Sequence, residues 1–164
     1  MPALAPTPAR PACDAALLAA LEQTELLADL SGPEQRALAA HLLLRRFAKG
    51  ETIFREGEPG EWMGLLVEGE IAIRKEADAR VTRTVAVEAR SRAIGEMALL
   101  DGEPRSATCL ASRPATLLVL TREQFRRLAK SRPALALEVM MRVARTLSRR
   151  LRLTSGRLVD HLEV

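Results

Sequence analysis

GEMALLDGEPRSATC, residues 95–109, is the segment of this sequence that best distinguishes between folds. It follows a short predicted strand and contains one helical turn, 97–100, whose free N–H groups point back toward Gly95. Such a helix end attracts anions. Arg105 follows Glu96 after a tight turn and a rigid proline, so chain reversal can bring its guanidinium to the same place. A phosphate would then meet an arginine and backbone amides together.

The side chains around this turn suit a sugar phosphate. Glu96 would be unfavourable beside an anion unless it accepts a hydrogen bond, and a sugar hydroxyl can donate one. Gly95 permits close backbone approach, and Ala98 and Ser106 keep the cradle small. An alternative interpretation of the same residues is that Glu96 and Arg105 form an ion pair that closes a surface loop.

Residues 47–120 carry the pattern of many short strands. Short apolar runs are separated by glycine and proline turns, and Ile71 and Ile73 alternate with polar residues. Such strands close most naturally into an antiparallel roll or sandwich. We interpret Phe54 and Trp62, which fall on these strands, as core or rim residues rather than as stacking platforms.

Helical periodicity precedes this region. Leucines recur at helical intervals within residues 14–30, which predicts an amphipathic helix with a break near Thr24. Ser31 and Glu34 form a capping box for a second helix. We expect that helix to end at residues 41–44.

Helical periodicity also follows the strands. Thr121 is predicted to cap one helix, and Ser131 with Pro133 to open the last one. The last helix carries a heptad seam, which indicates a partner helix. For residues 135–143, packing on the chain's own roll is an equally good interpretation; farther along, the helix should project beyond the roll. The residues of the seam are Met140, Ala144, Leu147, Leu151, Thr154, Leu158 and His161.

The composition indicates one folded domain without a membrane span. The chain has 164 residues, of which 48% are hydrophobic, so it can bury an aliphatic core. Its net charge of +4 comes from arginines in the last third, which we interpret as a solvated helix surface rather than a nucleic-acid interface. The proline-rich residues 1–13 are predicted to be a disordered leader. No apolar run reaches the length of a membrane span, so we expect no membrane partner.

Catalytic and metal sites are not expected. Cys13 and Cys109 lie far apart without metal-like or redox-like spacing, which fits a reducing cytoplasm. His41 and His161 fall in separate predicted helices, so they form no metal-ligand cluster. Because no set of nucleophile and base is recognisable, we expect a binding protein rather than an enzyme.

The segment 95–107, GEMALLDGEPRSA, resembles the phosphate-binding cassette of cyclic-nucleotide-binding domains, as in catabolite activator proteins, protein kinase A regulatory subunits and nucleotide-gated channels. Upstream, residues 47–73, FAKGETIFREGEPGEWMGLLVEGEIAI, are similar to the strand, glycine-turn, strand pattern of that family. The resemblance covers roughly residues 15–160. One departure is Ile94, where many relatives carry phenylalanine before the Gly-Glu pair.

The resemblance implies roles for the cassette residues. Arg105 would bind the exocyclic phosphate oxygens and Glu96 the ribose 2′-hydroxyl. Backbone amides of Ala98 and Ser106, with the Ser106 hydroxyl, would complete the cradle. The candidate ligand-binding residues of the cassette are Gly95, Glu96, Met97, Ala98, Arg105, Ser106 and Ala107.

A second resemblance concerns residues 148–162, SRRLRLTSGRLVDHL, which are similar to the dimer helix of catabolite activator proteins. It implies that Thr154 meets the adenine amino group in its own subunit and that Ser155 reaches the nucleotide of the partner. A homodimer through the last helix is therefore expected, and cAMP is favoured over cGMP.

The predicted fold is α+β and mainly β: an antiparallel, jelly-roll-like β-roll with N-terminal helices and a long C-terminal dimerisation helix. Within one cyclic-nucleotide-binding domain at 14–164, we expect helices at 14–44, the roll at 45–120 and helices at 121–162. The predicted function is a cAMP sensor without a further cofactor. It would signal to an unknown downstream protein by repositioning its C-terminal helices.

Two alternatives remain open. The first is the effector domain of a CRP-FNR-type transcription regulator; because the chain ends at Val164, we expect no DNA-binding module within it. The second is a protein-interaction subunit that binds no nucleotide, or binds cGMP or a cyclic dinucleotide.

Overall fold

The computed structural model describes residues 15–24, 26–27, 29–78, 81–88 and 92–162. For residues 76–78, 81–88 and 157–162 it describes the backbone alone. The leader predicted at residues 1–13, together with Cys13, lies outside the described residues.

The two N-terminal helices are α1 (Ala15–Glu22) and α2 (Gly32–Ala39). The helix predicted within residues 14–30 is shorter in the structure: α1 ends at Glu22, close to the break expected near Thr24, whose hydroxyl donates to the carbonyl oxygen of Leu21 at 2.7 Å. The predicted capping box is also present: the Glu34 carboxylate accepts from the backbone N–H of Ser31 at 2.9 Å.

The prediction that the second helix ends at residues 41–44 is wrong. Helix α2 ends at Ala39, and Leu43–Phe47 forms a strand, β1, whose residue Leu43 pairs with Val119. The helical periodicity of this leucine run is overridden by pairing with a strand far along the chain, because that pairing satisfies the backbone and buries the leucines together. The roll therefore begins two residues earlier than the expected position 45.

The predicted antiparallel roll is confirmed, built from two sheets in the described part of the chain. After β1, the elements of the roll are β2 (Thr52–Phe54), β3 (Trp62–Glu68), β4 (Ile71–Asp78), β5 (Val81–Glu88), β6 (Ala93–Ile94), α3 (Glu96–Asp101), β7 (Thr108–Ala111) and β8 (Ala115–Thr121). The strand orders of the two sheets are β1-β8-β3-β6 and β2-β7-β4-β5, with every pairing antiparallel. The helix α3 interrupts the strands between β6 and β7.

Two apolar clusters hold the roll together, one on each face of the first sheet. Along β8, Leu117 and Val119 join the cluster between the two sheets, whereas Leu118 and Leu120 join the cluster under the helices. Successive side chains of a strand point to opposite faces, so β8 is buried on both sides. Its near-continuous apolar sequence follows from that position.

Two helices complete the fold, α4 (Arg122–Ser131) and α5 (Pro133–Leu162). Thr121 caps α4 as predicted, accepting from the backbone N–H of Gln124 at 3.1 Å. Ser131 does not open α5: it is the last residue of α4, where its hydroxyl donates to the carbonyl oxygen of Arg127 at 3.0 Å.

Helix α5 changes its surroundings along its length. Its first part packs on the chain's own core through Leu135, Val139 and Val143. Its later part projects, with Leu151 and Leu153 exposed by 68% and 59%. Met140 and Leu147 of the predicted seam pack against the chain's own core, whereas Leu137 and Met141, which are not in that seam, stay exposed. No helix among the described residues combines the length and apolar character needed to cross a membrane.

Candidate functional site

Gly95 forms the entrance to α3 and sets the position of the neighbouring arginine. It adopts the left-handed conformation, with φ of 66°, immediately before the helix. A Cβ at this position would lie 3.0 Å from Cζ of Arg105 and closer still to Nη1. Only glycine combines this backbone conformation with this approach. The close approach predicted for Gly95 is therefore an approach to Arg105.

The backbone of Arg105 is tied to the loop that joins β2 and β3. Its N–H donates to the carbonyl oxygen of Glu58 at 2.8 Å, and its own carbonyl oxygen accepts from Gly57 at 2.9 Å. These two bonds hold in place the chain reversal that was predicted from the tight turn and the proline before Arg105. They direct the Arg105 side chain back toward the start of α3.

The guanidinium of Arg105 is almost fully buried yet incompletely hydrogen-bonded. The residue is 3% exposed, and Nη1 donates to the Gly95 carbonyl oxygen at 2.9 Å. Nε and Nη2 have no hydrogen-bond partner within the described residues. Burial lowers the pKa of Arg105 from its usual value, although an arginine stays charged under ordinary conditions. A buried cation with unused donors is suited to an anionic ligand.

Glu96 is held by an arginine from the far end of the chain. The buried carboxylate accepts from Nη1 of Arg150 at 2.5 Å, and Nη2 of Arg150 donates to the carbonyl oxygen of Ala93 at 2.8 Å. Helix α5 is therefore attached directly to the segment that carries the cassette. The described hydrogen bonds of the two side chains go to different partners: the Glu96 carboxylate to Arg150, and the Arg105 guanidinium to the Gly95 carbonyl oxygen.

A cavity of about 320 Å³ lies between α3, the following loop and α5. All seven predicted cassette residues line it, so the structure brings them together, and Phe54, Cys109 and Arg150 lie in the same wall. The volume falls in the range of small-molecule sites. The lining cassette residues are Gly95, Glu96, Met97, Ala98, Arg105, Ser106 and Ala107.

Comparison with known families shows which family this fold belongs to. The family model described as the cyclic nucleotide-binding domain matches residues 44–132, more than half of the chain. The chain belongs to the cyclic nucleotide-binding domain family. The match spans the roll, the cassette and α4.

Two relatives show how this cyclic nucleotide-binding domain compares with others. A CRP-like cAMP-activated global transcriptional regulator of Mycobacterium tuberculosis is 29% identical over 132 residues, covering 79% of this chain and 57% of the relative. A cAMP-dependent protein kinase regulatory subunit of Emericella nidulans is 36% identical over 108 residues. This match covers 66% of this chain and 26% of that subunit. The chain thus spans little more than half of the first relative.

The crystal structure of a cyclic nucleotide-binding domain from Methylobacillus flagellatus is similar with a TM-score of 0.79 and 30% identity. The alignment covers 88% of this chain and 82% of that one. The two domains therefore share the fold over nearly their whole length.

Thr154 and Ser155 lie outside the cavity of this single chain. Both are exposed on the projecting part of α5, and the Thr154 hydroxyl donates to the carbonyl oxygen of Arg150 at 3.0 Å. Thr154 was predicted to meet the adenine of its own subunit and Ser155 the nucleotide of the partner, and both contacts stay predictions. The side chains of Leu158 and His161 in the seam lie outside the described residues.

Arg150 is a charged residue of the cavity wall that was not among the predicted site residues. It was grouped with the arginines of a solvated helix surface. The available signal was its spacing: Arg150 precedes Thr154 by four residues, so the two share one face of α5. Because Arg150 lies on the helix face predicted to meet the ligand, it could have been predicted as a site residue, unlike the neighbouring arginines.

Proposed function

We propose that this chain is a cAMP-binding sensor, a regulatory module rather than an enzyme. The observation that carries the proposal is the pair of unused donors on the buried Arg105, placed in a cavity with the carboxylate of Glu96. Two of the relatives have names that state cAMP activation or cAMP dependence. The proposed ligand presents an anionic cyclic phosphate and a ribose hydroxyl, the two groups that these side chains complement.

The two side chains have separate tasks in this proposal. Arg105 offers Nε and Nη2 to phosphate oxygens, and its planar fork suits an anion with two acceptors. Glu96 accepts from the ribose 2′-hydroxyl while Arg150 neutralises its charge. Without Arg150, the Glu96 carboxylate would repel the ligand phosphate in a cavity of low dielectric constant.

The adenine base belongs to a further part of the proposal, in which the chain forms a homodimer through α5. Leu137, Met141 and Leu151 are exposed large apolar residues of this helix and lie toward one face. A second copy of α5 would cover them and bring the partner's Ser155 toward the base, beside Thr154. This arrangement favours cAMP over cGMP and involves no further cofactor.

The output is a repositioning of α5. The contact of Arg150 with Glu96 and Ala93 ties this helix to the cavity, so a ligand that engages Glu96 acts on the same network. Such a shift requires that the nucleotide bind two helix arrangements with different affinity. The downstream protein is unknown. We place the module in the cytoplasm, where cysteine thiols such as that of the buried Cys109 stay reduced.

A second candidate function is the effector part of a DNA-binding regulator. It is favoured by the Mycobacterium tuberculosis relative, a transcriptional regulator of which this chain covers 57%. A gel-shift assay with the chain as it stands tests whether it contacts DNA directly. Sequence-specific DNA binding at physiological salt would support the regulator and contradict a sensor module that acts only through a protein partner.

The test of the first proposal is calorimetric titration of cAMP into the wild-type chain, Arg105→Ala and Arg126→Ala. Loss of two hydrogen bonds to a charged group, at about 1.5–3 kcal/mol each, predicts an affinity for Arg105→Ala at least a hundredfold lower. Arg126 is exposed on α4, so its substitution is the matched control and should bind like wild type.

Parallel melting experiments show whether each variant is folded. Cyclic AMP at about 100 times its dissociation constant should add near 2.7 kcal/mol to the stability of the wild type. Unchanged affinity in Arg105→Ala refutes the assigned role of Arg105. A wild type that binds cGMP or a cyclic dinucleotide in preference, or no nucleotide at all, refutes the cAMP proposal.

A further inference from the structure

Two aromatic rings form a corner around the guanidinium of Arg105. Its Cζ lies 4.2 Å from the ring centroid of Phe54 and 4.8 Å from that of Trp62. The rings are 5.6 Å apart and inclined at 75° to each other. Both aromatic residues are buried in the cluster between the sheets. We call Phe54 and Trp62 the aromatic corner.

The aromatic corner offsets part of the free-energy cost of burying the Arg105 charge. The burial of a cation is costly unless it is compensated, and the guanidinium of Arg105 has one described hydrogen bond, to the Gly95 carbonyl oxygen. A ring face attracts a guanidinium within about 6 Å of its centroid, and this attraction is larger when water is excluded. The corner therefore stabilises the charge in a place where two of its donors remain unused.

We infer that Phe54 and Trp62 are positioning residues that hold Arg105 ready for the ligand phosphate. The inference rests on the proposed function, since it concerns how that site reaches its affinity. A guanidinium that is fixed beforehand loses less conformational freedom on binding than a mobile one, so affinity rises without any new contact to the ligand. Trp62 is not among the described residues that line the cavity, so its effect on the ligand passes through Arg105.

A positioning role differs from a role in core packing, which any buried aromatic pair also has. Packing is disturbed whether or not Arg105 is present. A positioning role disappears once the guanidinium is gone. The chain also supplies its own probe, because Trp62 is its single tryptophan and touches Arg105.

The test measures cAMP affinity for the full chain carrying Trp62→Leu, Trp62→Phe or Phe47→Leu. We expect Trp62→Leu to weaken binding roughly tenfold, as befits a largely desolvated cation–π contact, and Trp62→Phe to stay within about threefold of wild type. Phe47 is the matched control, a buried aromatic of the same cluster whose ring lies against Arg45. Phe47→Leu should lower stability without lowering affinity.

A double-substitution cycle separates positioning from packing. In an Arg105→Gln background, Trp62→Leu should leave the remaining affinity unchanged within about twofold, since coupled residues are not additive. A further tenfold loss in that background overturns the inference. So does unchanged affinity of Trp62→Leu in the chain that retains Arg105.

Fluorescence of wild-type Trp62 keeps the inference testable if the leucine variant fails to fold. Binding of cAMP should change the emission of the wild type, because the phosphate binds the guanidinium that lies beside the indole ring. The same titration of Arg105→Gln, at saturating ligand, should leave the Trp62 emission unchanged. An emission that is indifferent to cAMP in a wild type shown by calorimetry to bind it overturns the inference while the proposed function stands. A wild type that binds no cyclic nucleotide overturns both.

Discussion

Substitution of Gly95 by alanine should separate backbone strain from ligand binding. The new methyl group would lie 3.3 Å from the carbonyl oxygen of Trp62 and 3.0 Å from Cζ of Arg105, and it would overlap Nη1. The guanidinium must then move, because it is the adjustable group at this contact. Its hydrogen bond to the Gly95 carbonyl oxygen is lost or distorted.

Two separate magnitudes follow. An alanine in the left-handed conformation costs about 1–2 kcal/mol of folding free energy. Displacement of Arg105 by enough to lose one hydrogen bond to the ligand phosphate costs a further ~1.5–3 kcal/mol of binding free energy, which corresponds to a loss of roughly 10- to 100-fold in affinity. Stability and affinity should therefore both fall.

Gly50 provides the matched control. Its φ is 84°, and an added Cβ would meet nothing within 4 Å. Gly50→Ala should lose similar stability by chemical denaturation but retain the cAMP affinity of the wild type by calorimetry. If Gly95→Ala also binds cAMP like the wild type, the conclusion that Gly95 leaves the room that the Arg105 guanidinium needs is refuted.

Three further substitutions test other contacts. Arg150→Met should speed hydrogen exchange at residues 148–156, because it detaches the projecting part of α5; unchanged exchange would contradict this. Thr121→Ala should lower the unfolding free energy by about 1 kcal/mol through loss of the helix cap, and a loss below ~0.3 kcal/mol would contradict the cap. Hydrogen bonds from Ser31 hold the pKa of Glu34 below its usual value, so its stabilisation is present at neutral pH and lost on acidification. The stability of Glu34→Gln should lack this component of pH dependence below about pH 4.3.

The cassette was predictable from sequence because its geometry is local. Gly95 and Arg105 belong to one short segment, and turn chemistry alone predicts that it reverses. The same holds for the cap at Thr121 and the capping box at Ser31. In each case the interacting groups are close in sequence, so spacing carries the information.

Long-range pairing was not predictable in this way. The end of α2 was misplaced because Leu43 pairs with Val119, and no local pattern announces that partner. Arg150 and Glu96 meet only because α5 packs back along the roll. An arginine on a helix surface has the same local sequence whether it faces water or a buried carboxylate.

The aromatic corner shows a third limit. Phe54 and Trp62 were correctly interpreted as buried residues, and their buried positions confirm it. Their contact with Arg105 depends on where the cassette folds, which composition and periodicity do not specify. A residue's burial can thus be predicted while its chemical neighbour cannot.

The most direct test of the account is a crystal structure of this chain grown with cAMP. The account predicts phosphate oxygens within about 2.7–2.9 Å of Nε and Nη2 of Arg105, the ordinary length of a charge-assisted hydrogen bond. It also predicts the ribose 2′-hydroxyl within hydrogen-bond reach of the Glu96 carboxylate. A nucleotide bound elsewhere, or one whose phosphate avoids Arg105, would contradict the central claim.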